Sequence, residues 1–485
     1  MQTITDQLEY IMPTALSGTV AGTVGMTITA VGFPAPVGAM AEVQRETGAP
    51  LLAEVIGFRD EMTILYPFSE LSGVRHGNRI RLVRTTRWLR VGEGLLGRVV
   101  DAGGEAVDGK PKPALHDRTS FTGRPPHPCH RPRIDRPLST GVRAIDGLMT
   151  CGKGQRMGIF SGSGVGKSVL LGMMARYSSA DVIVIALVGE RGREVNEFIE
   201  RDLGPEGLAK SVVVVATSNE PALVRVQAAS TATAIAEYFR DQGKDVLLLM
   251  DSLTRFAFAQ REIGLAAGEP PTTRGYPPSV FALLPRLLER AGRSRRGSIT
   301  AFYAVLVEAD DPNEPVSDAV RGLLDGHTWL SRDLASRGHY PAIDVLGSLS
   351  RLMPEVTDEE HRRAAFALRE LLGAYRDHED LISIGAYRQG SNRTVDLAVA
   401  MMEEIRRYLR QPVGRPATLE EARDGLMQLY EQYADRLDAL PTDQPSAGQT
   451  AQGKARGKVQ GKVQGKARES AKVPAEKNGS RKHEA

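Results

Sequence analysis

Between residues 14 and 90 apolar and polar positions alternate in short runs broken by glycine: TVAGTVGMTITAVG, APLLAEVIGF, EMTILYPF and NRIRLVRTTRWLRV. Period-two alternation with frequent turn residues predicts a small antiparallel barrel or sandwich. The stretch LLGRVVDAGGEAVDG and the proline-rich residues up to Pro137 read as a connection. From about 141 to 351 the pattern changes to continuous apolar runs separated by longer helical stretches: QRMGIFS, DVIVIALVGE, SVVVVATS, DVLLLMDS and SITAFYAVLVE. Such runs predict strands of a mostly parallel sheet covered on both faces, an architecture that binds ligands at the carboxyl ends of its strands. After Met353 the spacing becomes helical. Thr357 with Glu360 and Thr418 with Glu421 have the spacing of capping boxes, and Leu397, Met401, Ile405 and Leu409 form an apolar stripe between them.

The pattern therefore divides the chain into an N-terminal β domain (1–95), an α/β core (96–355), a C-terminal helical domain (356–440) and a tail (441–485). The tail repeats glycine and lysine every four residues in GKARGKVQGKVQGKAR, has almost no apolar content, and is expected to stay unfolded. It holds ten Lys or Arg against four Asp or Glu, so the formal net charge of +3 hides a slightly acidic body. That balance does not mark a general nucleic-acid binder. Two cysteines, Cys129 and Cys151, are too few for a disulfide framework and fit a reducing compartment. HPCH, 127–130, offers metal-ligand types but lies among prolines without a second cluster at finger-like spacing. The N-terminus MQTITDQLEYIMPTAL lacks the basic start and long apolar segment of a secretory signal, and a run such as VIVIALV is too short to span a bilayer. A cytoplasmic protein is the expectation.

The chemistry concentrates in SGSGVGKS, 161–168, which nearly spells the phosphate loop GxxxxGK[ST] with a serine in place of its first glycine. It follows a predicted strand and opens a predicted helix, the context such a loop requires. Gly162, Gly164 and Gly166, with Ser161, Ser163, Val165 and Val169 around them, would turn backbone N–H groups inward on phosphates at a helix N-terminus. Lys167 would reach the β and γ phosphates of ATP, and the Ser168 hydroxyl would bind Mg²⁺. Ser161 costs little if its backbone angles suit a non-glycine residue. LLLMD ends an apolar run in Asp251, placed to hold a water on the Mg²⁺. ALVGER sets Glu190 and Arg191 at the end of another strand, where a carboxylate would orient the attacking water.

GVRAIDGL, SGSGVGKS, VGERGREV, MDSLTRFAFAQREI, GEPPTTRGYPPSVFALLPRLLERAG, DGHTWLSR, GHYPAIDV and SLSR together closely resemble the catalytic subunits of the rotary ATP synthase family. Within that family they are most similar to the flagellar protein export ATPases. The resemblance runs from about 15 to 440 and implies an N-terminal antiparallel β-barrel, a P-loop nucleotide-binding core and a C-terminal helical domain. It implies a homohexameric ring with ATP and Mg²⁺ at subunit interfaces. It assigns Lys167 and Ser168 to the phosphates and Mg²⁺, Glu190 to catalysis, Arg191 to phosphate sensing and Asp251 to Mg²⁺. Arg351, in SLSR, matches the arginine finger supplied to a neighbouring subunit. Relatives of the export group commonly begin this loop AGSGVGKS, so the first glycine is dispensable there. ISIGAYRQGSN, 382–392, replaces the acidic loop of synthase beta subunits. In EEHR, Arg362 stands where relatives often stack a tyrosine on adenine, and a guanidinium also stacks on a purine. The segment TDQLEYIM supplies only a short version of the amphipathic helix that binds the stator-type regulator in relatives. GEPPTTRGYPPS would face the ring's pore with Tyr276 exposed toward the central stalk protein.

Export ATPases imply further partners: the export gate at the inner membrane, where association would be peripheral, and export substrates with their chaperones. ATP hydrolysis energising flagellar protein export is thus the expected function. The nearest alternative is the same reaction in a virulence-type injectisome. A Rho-like RNA translocase would need a repeated stacking pattern that RHGNRIRLVRTTRWLR lacks. A non-catalytic ring subunit would not be expected to keep Lys167, Glu190 and Asp251 together.

Overall fold

The computed structural model describes residues 16–307, 311 and 314–439; TDQLEYIM and the basic tail lie outside them. Strands β1 (Ser17–Val24), β2 (Thr27–Val31), β3 (Met40–Val43), β4 (Leu51–Arg59), β5 (Met62–Pro67) and β6 (Arg79–Arg84) close an antiparallel barrel in the order β1-β2-β5-β4-β3-β6. Closure pairs both edges of each strand, which settles the choice between barrel and sandwich. Ile28, Ala30, Val43, Leu51, Val55, Leu65 and Ile80 fill its interior.

The sequence pattern misplaces the barrel's exit. NRIRLVRTTRWLRV is not one element: after β6 the chain leaves the barrel, and β7 (Trp88–Val91) pairs elsewhere. The presumed connection supplies β8 (Arg98–Asp101), which lies parallel to a strand of the central sheet at that sheet's edge. Four residues are too few for periodicity to reveal such a strand; tertiary contacts fix it, among them a two-pronged ion pair from Arg98 to Asp108 at 2.7 Å. The partner of β7 is β9 (Asp117–Ser120).

Short strands β10 (Pro137–Leu138) and β11 (Cys151–Gly152) pair with each other beside the core. The remaining strands are β12 (Arg156–Ser161), β13 (Val182–Glu190), β14 (Ser211–Thr217), β15 (Asp245–Asp251), β16 (Gly292–Arg293), β17 (Ser298–Leu306), β18 (Gly326–Leu330) and β19 (Ile343–Ser350). With β8 they form a nine-stranded sheet in the order β19-β18-β12-β17-β15-β13-β14-β8, with β16 attached to β17. Every pair from β18 to β8 along this order is parallel; β19 and β16 run antiparallel to their neighbours. All five sequence-drawn strands are present.

Both faces of this sheet are covered, which explains why its strands read as unbroken apolar runs. In β13, Ile183, Ile185 and Leu187 face one core, and Val184, Ala186 and Val188 face the other. The second core is closed by the helices Ala222–Asp241, Leu253–Ala267, Pro278–Leu288 and Pro315–Leu323. The first holds the phosphate-loop helix Lys167–Tyr177 together with the C-terminal helices Glu359–Ser383, Arg393–Leu409 and Leu419–Ala439. Leu368, Met401, Ile405 and Leu426 therefore share a core with Leu170, Ile185 and Leu249.

Two local expectations change. The helix Glu359–Ser383 is capped by Asp358, whose carboxylate accepts from the His361 N–H at 2.8 Å; Thr357 instead donates to the Met353 carbonyl at 2.7 Å. An ionised carboxylate at that position also meets the positive helix end. The second box forms as spaced, Thr418 and Glu421 exchanging bonds of 2.8 and 3.1 Å. Tyr276 is not exposed: its ring is 3% accessible, stacks on Phe258 with centroids 6.2 Å apart and lies under the Arg261 guanidinium. An aromatic ring with apolar neighbours on the adjoining helices gains more by burial than by facing water. Among the described residues no helix is long and apolar enough to cross a membrane.

Candidate active site

The phosphate loop is built as strand, turn and helix. Ser161 ends β12 in register with Leu306 and Leu330, is fully buried, and its carbonyl accepts from the Val307 N–H at 3.0 Å. It is extended backbone, which any residue adopts, so glycine is not required there. The left-handed positions are Gly164 (φ 79°) and Gly166 (φ 91°), where a side chain would be strained. Gly162 is buried, Ser163 is exposed and Val165 anchors the turn in the core. Gly166 precedes the helix Lys167–Tyr177 without a side-chain cap, so the first N–H groups of that helix remain for an anion. Ser168 and Val169 lie on its first turn.

Parallel strand order brings the distant carboxylates to this loop. Lys167 Nζ bonds Asp251 Oδ1 and lies 3.9 Å from Glu190 Oε1. Asp251 is 3% accessible. Glu190 Oε1 is buried and accepts no hydrogen bond among the described residues. Burial pushes the Glu190 carboxyl up to about 7; the Asp251 charge adds to the rise, and Lys167 opposes it. A carboxylate balanced near neutrality with one unbonded oxygen suits a group that must hold and accept a proton from water.

Sequence reasoning missed Arg255, on the helix that follows Asp251. Its stem packs over Gly189, where an added Cβ would come within 3.0 Å of the Arg255 Cβ. Its charge bears on Glu190, and its buried Nε has no hydrogen-bond partner among the described residues. The one available signal was its place four residues beyond the strand-end aspartate.

The other nominated arginines bond elsewhere or stand exposed. Arg191 is exposed, with a 3.7 Å pair to Glu194. Arg362 donates to the carbonyls of Pro354 (3.0 Å) and Thr357, bracing the turn before its helix. A hollow of about 300 Å³ instead opens directly beside the loop, lined by Gly166, Val169, Tyr340, Pro341, Pro412 and Val413 among others; Arg362 is not part of its wall. The Tyr340 ring lies 3.6 Å from where a Gly166 Cβ would be. Gln411 sets this wall: its N–H donates to the Tyr340 carbonyl at 3.0 Å and its amide to Gly141 O at 2.9 Å. Arg351 is exposed and follows β19 at the far end of the sheet. Ser161 lies level with Leu330 and Ile343, whereas Ser350 lies level with Gly326. At about 3.3 Å per residue, Arg351 starts roughly 15 Å from its own loop, beyond the reach of one side chain.

The donor set suits a phosphate chain bearing a hard divalent cation. Open N–H groups and Lys167 match phosphate oxygens, while the Asp251 carboxylate and Ser168 hydroxyl are the oxygen ligands Mg²⁺ prefers. An apolar hollow with an aromatic ring beside the loop suits a purine.

Residues 141–350 match the model of the ATP synthase alpha/beta family, nucleotide-binding domain, and 357–428 match that of the T3SS EscN ATPase C-terminal domain. The chain is 51% identical over 423 residues to the flagellum-specific ATP synthase of Bacillus subtilis, covering 87% of this chain and 97% of that protein. It is 52% identical over 404 residues to the type 3 secretion system ATPase of Xanthomonas euvesicatoria, covering 83% and 91%. Among solved structures, the assembled ATPase EscN in complex with its central stalk EscO, from the enteropathogenic E. coli type III secretion system, superimposes with a TM-score of 0.79 at 46% identity, covering 85% of this chain and 99% of that one. A phosphate loop with its lysine, a strand-end carboxylate tuned near neutrality and matches to both a nucleotide-binding and a secretion-ATPase domain converge: the chain is an ATPase and belongs to the flagellar and type III secretion group of the ATP synthase alpha/beta family.

Proposed function

We propose that this chain hydrolyses ATP with Mg²⁺ in a homohexameric ring and that the cycle energises export of flagellar proteins. The observation that carries the ring is the place of Arg351, exposed at the end of the sheet opposite its own loop, a position that suits a side chain serving a neighbouring copy. In this reading Lys167 leaves Asp251 for the β and γ phosphates. Ser168 and Asp251 hold Mg²⁺, which when bound neutralises phosphate charge. Glu190 orients the attacking water and takes its proton. Arg255, and Arg191 released from an exposed pair of small worth, meet the phosphates from the far side. Arg351 of the next copy stabilises the charge that develops on the transferred phosphoryl group. Tyr340 and Val413 replace Arg362 as the contact for the base. Alanine at Tyr340 is expected to raise KM for ATP by about 10-fold, from the ~1–3 kcal/mol of a base–aromatic stack, with kcat nearly unchanged; an unchanged KM in steady-state kinetics removes it from the base site.

The partners of this reading are a central stalk protein, as EscN has in EscO, a stator-type regulator, the export gate, and substrates with chaperones. They place the ring in the cytoplasm, peripherally at the inner membrane. Injectisome export remains the second reading, since a flagellar and a type 3 secretion relative are almost equally similar. The matched C-terminal domain is that of a secretion ATPase, which speaks against an RNA translocase. Turnover per chain measured against protein concentration tests the ring: it should rise cooperatively as chains assemble, and a constant value would refute it. Loss of motility on deleting the gene distinguishes flagellar export from injectisome export.

A further inference from the structure

Arg351 leaves the sheet one residue beyond β19, where its N–H donates to the Asp325 carbonyl at 3.0 Å. Asp325 stands one residue before β18, so this bond closes the paired strand ends. The junction is tight, since a Cβ on Gly326 would lie 2.4 Å from the Leu349 carbonyl. The Asp325 carboxylate binds a third strand. It accepts from the Arg156 backbone N–H at 3.0 Å, and from Nε and Nη2 at 3.2 Å each, while the Asp325 N–H returns to the Arg156 carbonyl at 2.9 Å. Arg156 opens β12, whose other end is the phosphate loop. Beneath them, fully buried Gln155 donates to the Asp325 carbonyl at 3.2 Å and the Ser350 hydroxyl at 3.0 Å; Ser350 donates to the Thr150 carbonyl at 2.9 Å. A residue bonded through its main-chain carbonyl to Arg351 and Gln155, and through its carboxylate to the start of β12, fixes a geometry that a surface loop would not hold.

We infer that Asp325 is a positioning residue for Arg351: it ties the base of the finger to the strand that carries this chain's own phosphate loop, and so sets where the guanidinium enters the neighbour's site. The inference rests on the ring reading above. Asp325→Asn keeps the shape but loses the charge facing Arg156. Displacement of a catalytic group costs up to about 100-fold, so kcat should fall between roughly 10- and 100-fold with KM and ATP affinity unchanged.

Complementation separates a positioning role from a merely structural one. Asp325→Asn is co-assembled with Lys167→Ala, which has an intact finger and a defective loop. Activity above that of either variant alone is expected, because the intact loop of the first then faces the intact finger of the second. Arg351→Ala with Lys167→Ala is the control. Rescue in the control without rescue of Asp325→Asn overturns the inference and leaves the ring reading standing; failure of both overturns the ring reading and the inference with it. Wild-type kcat in Asp325→Asn also overturns it. Should that variant fail to assemble, Ser350→Ala takes its place, with a smaller kcat loss and the same rescue expected and with wild-type kcat or absent rescue counting against the inference.

Discussion

Arg351→Ala is expected to lower turnover of the assembled ATPase by about 10³–10⁵-fold, the range associated with removing an arginine finger. The side chain is exposed and, among the described residues, its recorded hydrogen bond is made by its backbone N–H, so truncation should leave folding and assembly intact. Its own loop is out of reach, and nucleotide affinity should therefore change only a few-fold. Steady-state turnover alongside a fluorescent-nucleotide titration checks both parts. Turnover within tenfold of wild type, or affinity lost in proportion to turnover, would contradict the assignment. Lysine at this position should recover little, because a compact ammonium cannot present the planar fork to two oxygens.

Glu190→Gln should cost about 10²–10⁴-fold in turnover, the range for a positioned general base, with ATP still bound. The substitution is nearly isosteric and keeps an acceptor for the water, so the loss measures proton acceptance. It also carries a pH signature. With the carboxyl pushed up to about 7 by burial and by Asp251, only the fraction above that pKa is ionised. Wild-type kcat/KM should climb as pH rises through about 7 and level off above it, since this parameter reports the free enzyme. The limb should vanish in Glu190→Gln. An identical limb in the variant would assign the titration to another group, and full turnover would end the catalytic role of Glu190. Asp251 differs by its partner: its carboxylate oxygen bonds the Lys167 ammonium directly.

What was legible in the sequence followed from locality. A phosphate loop is eight consecutive residues between a strand and a helix, so SGSGVGKS announced itself, and the answer for Ser161 is that the position is the last of a strand. Glu190 and Asp251 stood out because each ends a long apolar run, and parallel strands present such ends at one edge. The long strands and the stripes of the C-terminal helices were readable because period two and period 3.6 express which face is buried. Asp358, by contrast, displaced Thr357 as cap by a single residue, a choice between two competent acceptors that local pattern does not make.

The sequence by itself thus determined the class of chemistry, the order of the β, α/β and helical regions, and the loop that holds phosphate, because each is encoded by neighbours along the chain. Only tertiary structure decided which residues from distant segments share a site. Tyr340 and Val413 come to the loop because Gln411 is bonded across to residues 141 and 340, whereas Arg362 does not line that hollow. Arg255 reaches Glu190 because β13 and β15 are adjacent in the sheet though far apart in sequence. Tyr276 is buried because neighbouring helices offer its ring a place, whatever its loop's composition suggests. Arg351 lies at the end of the sheet opposite its own loop because β19 runs antiparallel, and strand direction is set by pairing across the whole fold, which no local spacing contains.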